Sequence, residues 1–80
     1  MAIQNLAFGP TTVTVKAGTT VTWTNADTDP HTVTSMNDGP IHSPTMKQGD
    51  TFRYTFTKPG RFDYLCTIHP FMTATVVVTP

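Results

Sequence analysis

The chain has 80 residues, 12% of them charged, with five lysines and arginines balanced by five aspartates and no glutamate. Such a length allows one domain and one core burying about 60–65% of the unfolded chain's surface, and the neutral balance lacks the basic patch that nucleic acid or an anionic membrane would require. No apolar run approaches the ~18 residues of a spanning helix, and a single cysteine, Cys66, excludes an internal disulfide.

In chain order everything reads β. Threonine and valine dominate, glycine and proline punctuate at short intervals, and no segment carries an amphipathic helical period. Met1-Ala2 opens almost directly onto a strand, no signal peptide is visible, and residues 1–80 read as a single mature or trimmed domain. Asn5–Phe8 is the first predicted strand, closed by Gly9-Pro10. Thr11–Lys16 alternates polar with apolar, and Ala17-Gly18 turns it into Thr19–Asn25. There Val21 and Trp23 share one face, and Thr20, Thr22 and Thr24 the other. Asp27-Thr-Asp-Pro30 is a turn cluster, followed by a short strand His31–Ser35. Residues 36–49 are irregular, with a turn at Asn37-Asp-Gly-Pro40. Asp50–Thr57 turns Phe52, Tyr54 and Phe56 inward, Lys58-Pro-Gly60 is a hairpin turn, and Phe62, Tyr64 and Cys66 share the next inward face. Thr73–Thr79 is the last strand. Seven to eight short strands with turns every 8–12 residues predict an all-β sandwich.

One stretch stands apart. Tyr64–Met72 holds Cys66, then His69 three residues on and Met72 three beyond that. Pro70 blocks a continuous helix through this spacing, so the segment reads as a tight loop between two strands. Thiolate, imidazole and thioether are the donors of a copper site that passes one electron, a trigonal His₂Cys set with a weak axial Met. A lone buried cysteine is more often inert packing, and a nearby methionine core filler. Met72 at the next step and a second histidine elsewhere in the chain move the reading to metal.

For that second histidine the chain offers His31 and His42. His31 follows a proline turn and opens a strand, where a loop-end imidazole can point along the sandwich axis toward Cys66. His42, between Pro40 and Pro44, reads as an exposed loop residue, and Met36 and Met46 as packing or surface residues.

Cys66-Thr-Ile-His-Pro-Phe-Met72 resembles the ligand loop of cupredoxins, and specifically of amicyanins, whose residue before the histidine is proline. Val13–Asn25, Pro30-His31-Thr-Val33 and Lys58-Pro-Gly-Arg-Phe-Asp-Tyr64 are similar, in order, to the framework of small plastocyanin-like domains. The resemblance implies a Greek-key sandwich with mixed pairing and one type 1 copper held by His31, Cys66, His69 and Met72. It also implies a non-enzymatic carrier of single electrons, monomeric and periplasmic or extracellular. Redox proteins would dock near His69, Pro70 and Phe71. Two departures matter: Thr32 stands where many cupredoxins have an asparagine tying the ligand loops, predicting a weaker tie, and Ile68 restores an amide hydrogen that could reach the sulfur.

Two rival readings are a copper buffering or delivery module and a cupredoxin domain cut from a larger oxidase or engineered as a scaffold. Isolated Met36, His42 and Met46 give the first only faint support. A Cys–His hydrolase lacks a third orienting residue and an oxyanion helix.

Overall fold

Period-two alternation is what eight short strands need in order to bury one face each, and the computed structural model, which describes all 80 residues, builds them as β1 (Ala2–Gln4), β2 (Ala7–Gly9), β3 (Thr12–Lys16), β4 (Thr19–Asn25), β5 (Thr34–Ser35), β6 (Thr51–Phe56), β7 (Gly60–Leu65) and β8 (Thr73–Thr79). They form two four-stranded sheets, ordered β2-β1-β4-β6 and β3-β8-β7-β5. Pairing is mixed as expected: β1 runs parallel to β4 and β3 parallel to β8, with the remaining neighbours antiparallel.

The inner faces enclose Ile3, Phe8, Val21, Trp23, Phe56, Tyr64, Val76 and Val78, all buried. Trp23 Nε1–H donates to Tyr64 Oη at 3.1 Å, so the largest core ring brings no orphan donor inside. Tyr64 also meets Phe8 edge-on, with ring centroids 4.9 Å apart. Val21 and Trp23 face the core while Thr20 faces solvent, pairing Oγ1 to Oγ1 with Thr55 at 2.7 Å. Phe52, Tyr54 and Phe62 lie only half-buried against this core.

Two sequence expectations are corrected. Asn5 and Leu6 do not begin a strand; they are the two-residue turn of the β1–β2 hairpin, both left-handed (φ 54° and 57°), which places Gln4 opposite Ala7. Such turns favour Asn-Gly, and the leucine conceals this one. The strand expected over His31–Ser35 shrinks to Thr34–Ser35. His31 instead exchanges two backbone hydrogen bonds with Met46 (3.0 and 2.8 Å), and the Val33 amide donates to Ser43 Oγ at 2.7 Å. The irregular segment 36–49 thus takes the hydrogen bonds that a longer strand would have used.

Because β1 and β4 are parallel, the β1–β2 turn and the segment after Asn25 reach the same end of the sandwich. There Asn25, fully buried, donates through Nδ2 to the carbonyls of Asp29 and Met46 (3.0 and 2.9 Å), and its Oδ1 accepts the Asp27 amide at 2.9 Å.

Candidate metal centre

The β7–β8 connection is short and closes on itself. Cys66 N–H donates to the Met72 carbonyl at 3.1 Å, and Met72 N–H to the His69 carbonyl at 2.9 Å. Those bonds turn the chain within seven residues, leaving Cys66 and Met72 buried, His69 half-buried, and Ile68, Pro70 and Phe71 exposed. From the other side the β4–β5 segment delivers His31, which is fully buried.

The ligand atoms of His31, Cys66 and His69 all lie within 4.8 Å of one another. Cys66 Sγ is 3.6 Å from His31 Nδ1 and 3.7 Å from His69 Nδ1. A trigonal ion bound at about 2.0–2.3 Å to imidazole and thiolate would separate its ligands by about 3.7 Å. A thiol–imidazole hydrogen bond spans a similar distance, but one S–H cannot serve two imidazoles. His31 Nε2 sits 2.8 Å from Asp27 Oδ2; a carboxylate only accepts, so Nε2 carries the hydrogen and Nδ1 turns a lone pair toward the sulfur. Donors converge on a point where no proton satisfies them all, and a soft cation does.

The electrostatics agree. Burial pushes the Cys66 thiol up, but the Thr32 amide and the two imidazoles outweigh it and bring it down to about 6. Burial would lower the His31 imidazole, yet the Cys66 sulfur and the Asp27 carboxylate hold it above the usual range. The Leu6 amide and then, against the cost of desolvation, His31 hold the Asp27 carboxyl below its ordinary value.

Thr32 does more than its length suggested. Its amide donates to Cys66 Sγ at 3.4 Å, while its Oγ1 accepts the Thr67 amide at 2.9 Å and lies 2.9 Å from Thr67 Oγ1. The hydroxyl therefore ties the two ligand segments directly. Ile68 N–H makes no hydrogen bond to sulfur; the other backbone amide that favours the thiolate is that of His69. His42 is exposed, Met46 is core packing and Met36 is half-buried, as their contexts implied. Asp27, read in the sequence only as part of a turn, is the residue that reading missed, because its partners Asn5 and Leu6 lie more than twenty positions away.

Comparison with known proteins points the same way. Residues 1–79 match the family described as copper binding proteins, plastocyanin/azurin family. Amicyanin-alpha of Methylorubrum extorquens is 40% identical over 81 residues, covering 95% of this chain and 67% of that protein. Amicyanin of Paracoccus denitrificans is 43% identical over 68 residues, covering 80% of this chain and 52% of its own length. The chain thus spans about half to two thirds of these curated relatives. Among solved structures, an oxidized amicyanin variant superposes with a TM-score of 0.91 at 37% identity, over 98% of this chain and 78% of that one. A Cu-containing nitrite reductase from Thermus scotoductus SA-01 superposes at 0.92 with 30% identity, over 99% of this chain but 21% of that one. With the family matched along nearly its whole length and its fold reproduced, this chain belongs to the plastocyanin/azurin family of copper-binding cupredoxins.

Proposed function

We propose that the chain is a type 1 copper electron carrier, its single sandwich unit holding copper through His31 Nδ1, Cys66 Sγ, His69 Nδ1 and the Met72 thioether. The observation that carries this reading is the convergence of two imidazole nitrogens on one buried sulfur at 3.6 and 3.7 Å. Bound there, copper would supply a centre that cycles between Cu(II) and Cu(I). The chain's own residues supply rigidity and insulation. Asp27 fixes the His31 tautomer, Thr32 donates to sulfur, and the loop's backbone bonds hold Cys66 against Met72. Ligands that hardly move between oxidation states keep the nuclear rearrangement of transfer small.

His69 is the ligand nearest solvent, flanked by exposed Pro70 and by Phe71, which is 70% exposed and meets the His69 ring edge-on at 6.0 Å. A redox protein docking on this apolar rim would take its electron through the His69 edge, without strong charge steering. The proposed compartment, periplasmic or extracellular, extends the kinship with the amicyanins.

Loading with Cu(II) tests the reading: an intense visible thiolate-to-copper band and reversible one-electron voltammetry are expected, both lost in Cys66→Ser. A colourless copper complex would refute it. Phe71→Lys should keep fold and colour while slowing transfer to a redox partner; unchanged kinetics would remove the rim from the docking surface.

A further inference from the structure

The Asp27 carboxylate accepts three hydrogen bonds from two places. Oδ1 takes the Asn5 amide at 2.6 Å, and Oδ2 takes the Leu6 amide at 2.9 Å and His31 Nε2–H at 2.8 Å. The first two donors are the central residues of the β1–β2 turn, both left-handed. For leucine that conformation is sterically unfavourable, so something must hold the turn in place. The third donor belongs to an imidazole whose side chain has no solvent exposure, where water cannot replace a lost acceptor. Asp27 is itself held from the buried side, since Asn25 Oδ1 accepts its amide at 2.9 Å.

We propose that Asp27 is a positioning residue for the metal centre: its carboxylate joins the N-terminal hairpin turn to the His31 ligand and biases the bound copper toward Cu(II). The proposal rests on the copper reading above. A carboxylate on the far nitrogen fixes which nitrogen faces the metal and raises the donor strength of the ring. The first serves either oxidation state, and the second favours the more positive ion. His69, with no carboxylate among its contacts, lacks this support, so the two imidazoles are electronically unequal. A strained two-residue turn at the N-terminus thereby becomes part of the metal centre.

Asp27→Asn separates charge from shape. The amide oxygen can still accept from His31 and Leu6, while the new NH₂ opposes the Asn5 amide. In the metal-free protein we expect the Asn5 amide to exchange with solvent at least tenfold faster. In the copper-loaded protein we expect the Cu(I)/Cu(II) balance to move about tenfold toward Cu(I), which for one electron is about 59 mV upward in potential. Asp27→Ala should add loss of the slowly exchanging His31 Nε2–H resonance and a Cu(II) affinity about 10–100-fold weaker. If the alanine variant fails to fold, the asparagine variant decides alone. A blue wild type whose Asp27→Asn variant moves its balance by less than twofold overturns the proposal, even if that variant is less stable. A wild type that takes up copper without the visible band refutes the copper reading instead, and unchanged Asn5 exchange in the metal-free variant would then overturn the clamp.

Discussion

His31 and His69 bring the same imidazole to one sulfur, but the rest of the protein treats them differently. His31 is buried, pairs its backbone with Met46 in both directions, and gives its far nitrogen to Asp27. His69 rides on a seven-residue loop closed by its own backbone, half-buried beside exposed Pro70 and Phe71. One ligand is fixed by residues distant in sequence, the other by its immediate neighbours. On the electron-carrier reading proposed above, both kinds have a use: an anchor inside to hold copper still and an outlet at the surface to pass the electron. Apart from the contacts of the ligand residues themselves, whose imidazole rings lie 5.0 Å apart, the hydrogen bonds between the two segments run through Thr32 and Thr67.

Deleting each ring would show the largest contrast. His31→Ala and His69→Ala should both abolish the blue band, but only His31→Ala should weaken the metal-free fold, by about 2 kcal/mol, since it leaves a buried void and takes one partner from Asp27. His69→Ala should leave metal-free unfolding within about 0.5 kcal/mol of the parent, as surface changes usually do. His42→Ala serves as the control, with band and stability both retained. Equal destabilisation by the first two, measured in urea without copper, would break the distinction between anchor and outlet.

The thiol between them should report both. In the metal-free protein the ultraviolet absorbance of the thiolate should rise with a midpoint at about 6, against about 8.5 for an ordinary cysteine. Because the folded value lies below the unfolded one, the Cys66 contribution to stability is complete above the unfolded value and is lost as pH falls through about 6. His31, shifted upward, acts in the opposite sense: its contribution is present below the ordinary imidazole value and is lost as pH rises through its folded one. A spectroscopic titration of the sulfur separates the two where a melting curve would blend them. A midpoint above 8 would show that the amide and the imidazoles do not offset burial.

Cutting the link between the segments is a smaller step. Thr32→Ala keeps the amide that donates to Cys66 Sγ and removes the hydroxyl that accepts from Thr67. Thr67 is exposed, so water can take over part of that bond, and the expected cost is about 1 kcal/mol, or about 4–8 °C in melting temperature for a domain of this size. The band should persist but broaden as the loop gains freedom. An unchanged melting temperature would mean that the two segments are held together by the ligand atoms alone.

How far the site could be read in the sequence follows the same division. Cys66, His69 and Met72 declare themselves because a loop-borne ligand set is local: spacing, Pro70 and the flanking strands suffice. His31 needs its turn context as well; the sandwich and the inward faces of Trp23 and Tyr64 follow from the short alternating strands, while the mixed pairing follows from the family resemblance. What stayed hidden was the anchoring. Asp27, Asn25 and the Asn5-Leu6 turn are joined through contacts between β1, β4 and the segment beyond, and no local pattern marks them. The strand expected over His31–Ser35 is shorter for a related reason: Met46 and Ser43 take its backbone hydrogen bonds from a stretch without pattern. Side-chain length alone understates the reach of Thr32, because the Thr67 amide comes to it.

The smallest expected effect probes the anchor at its strained point. Leu6→Gly would turn Asn5-Leu6 into the Asn-Gly pair that this turn favours. The left-handed conformation at residue 6 (φ 57°) costs leucine about 1 kcal/mol and glycine almost nothing. Against this, glycine loses more freedom on folding, and the leucine side chain, 38% exposed, gives up some buried surface. The net expectation is a stabilisation of about 0.5 kcal/mol. The amide that donates to Asp27 Oδ2 survives the change, so potential and visible band should stay as they were. A variant that is both more stable and unmoved in potential would show that Asp27 needs only the backbone of the turn. A shifted potential would mean that the leucine side chain itself acts on His31, and the anchor would then extend to the exposed tip of the hairpin.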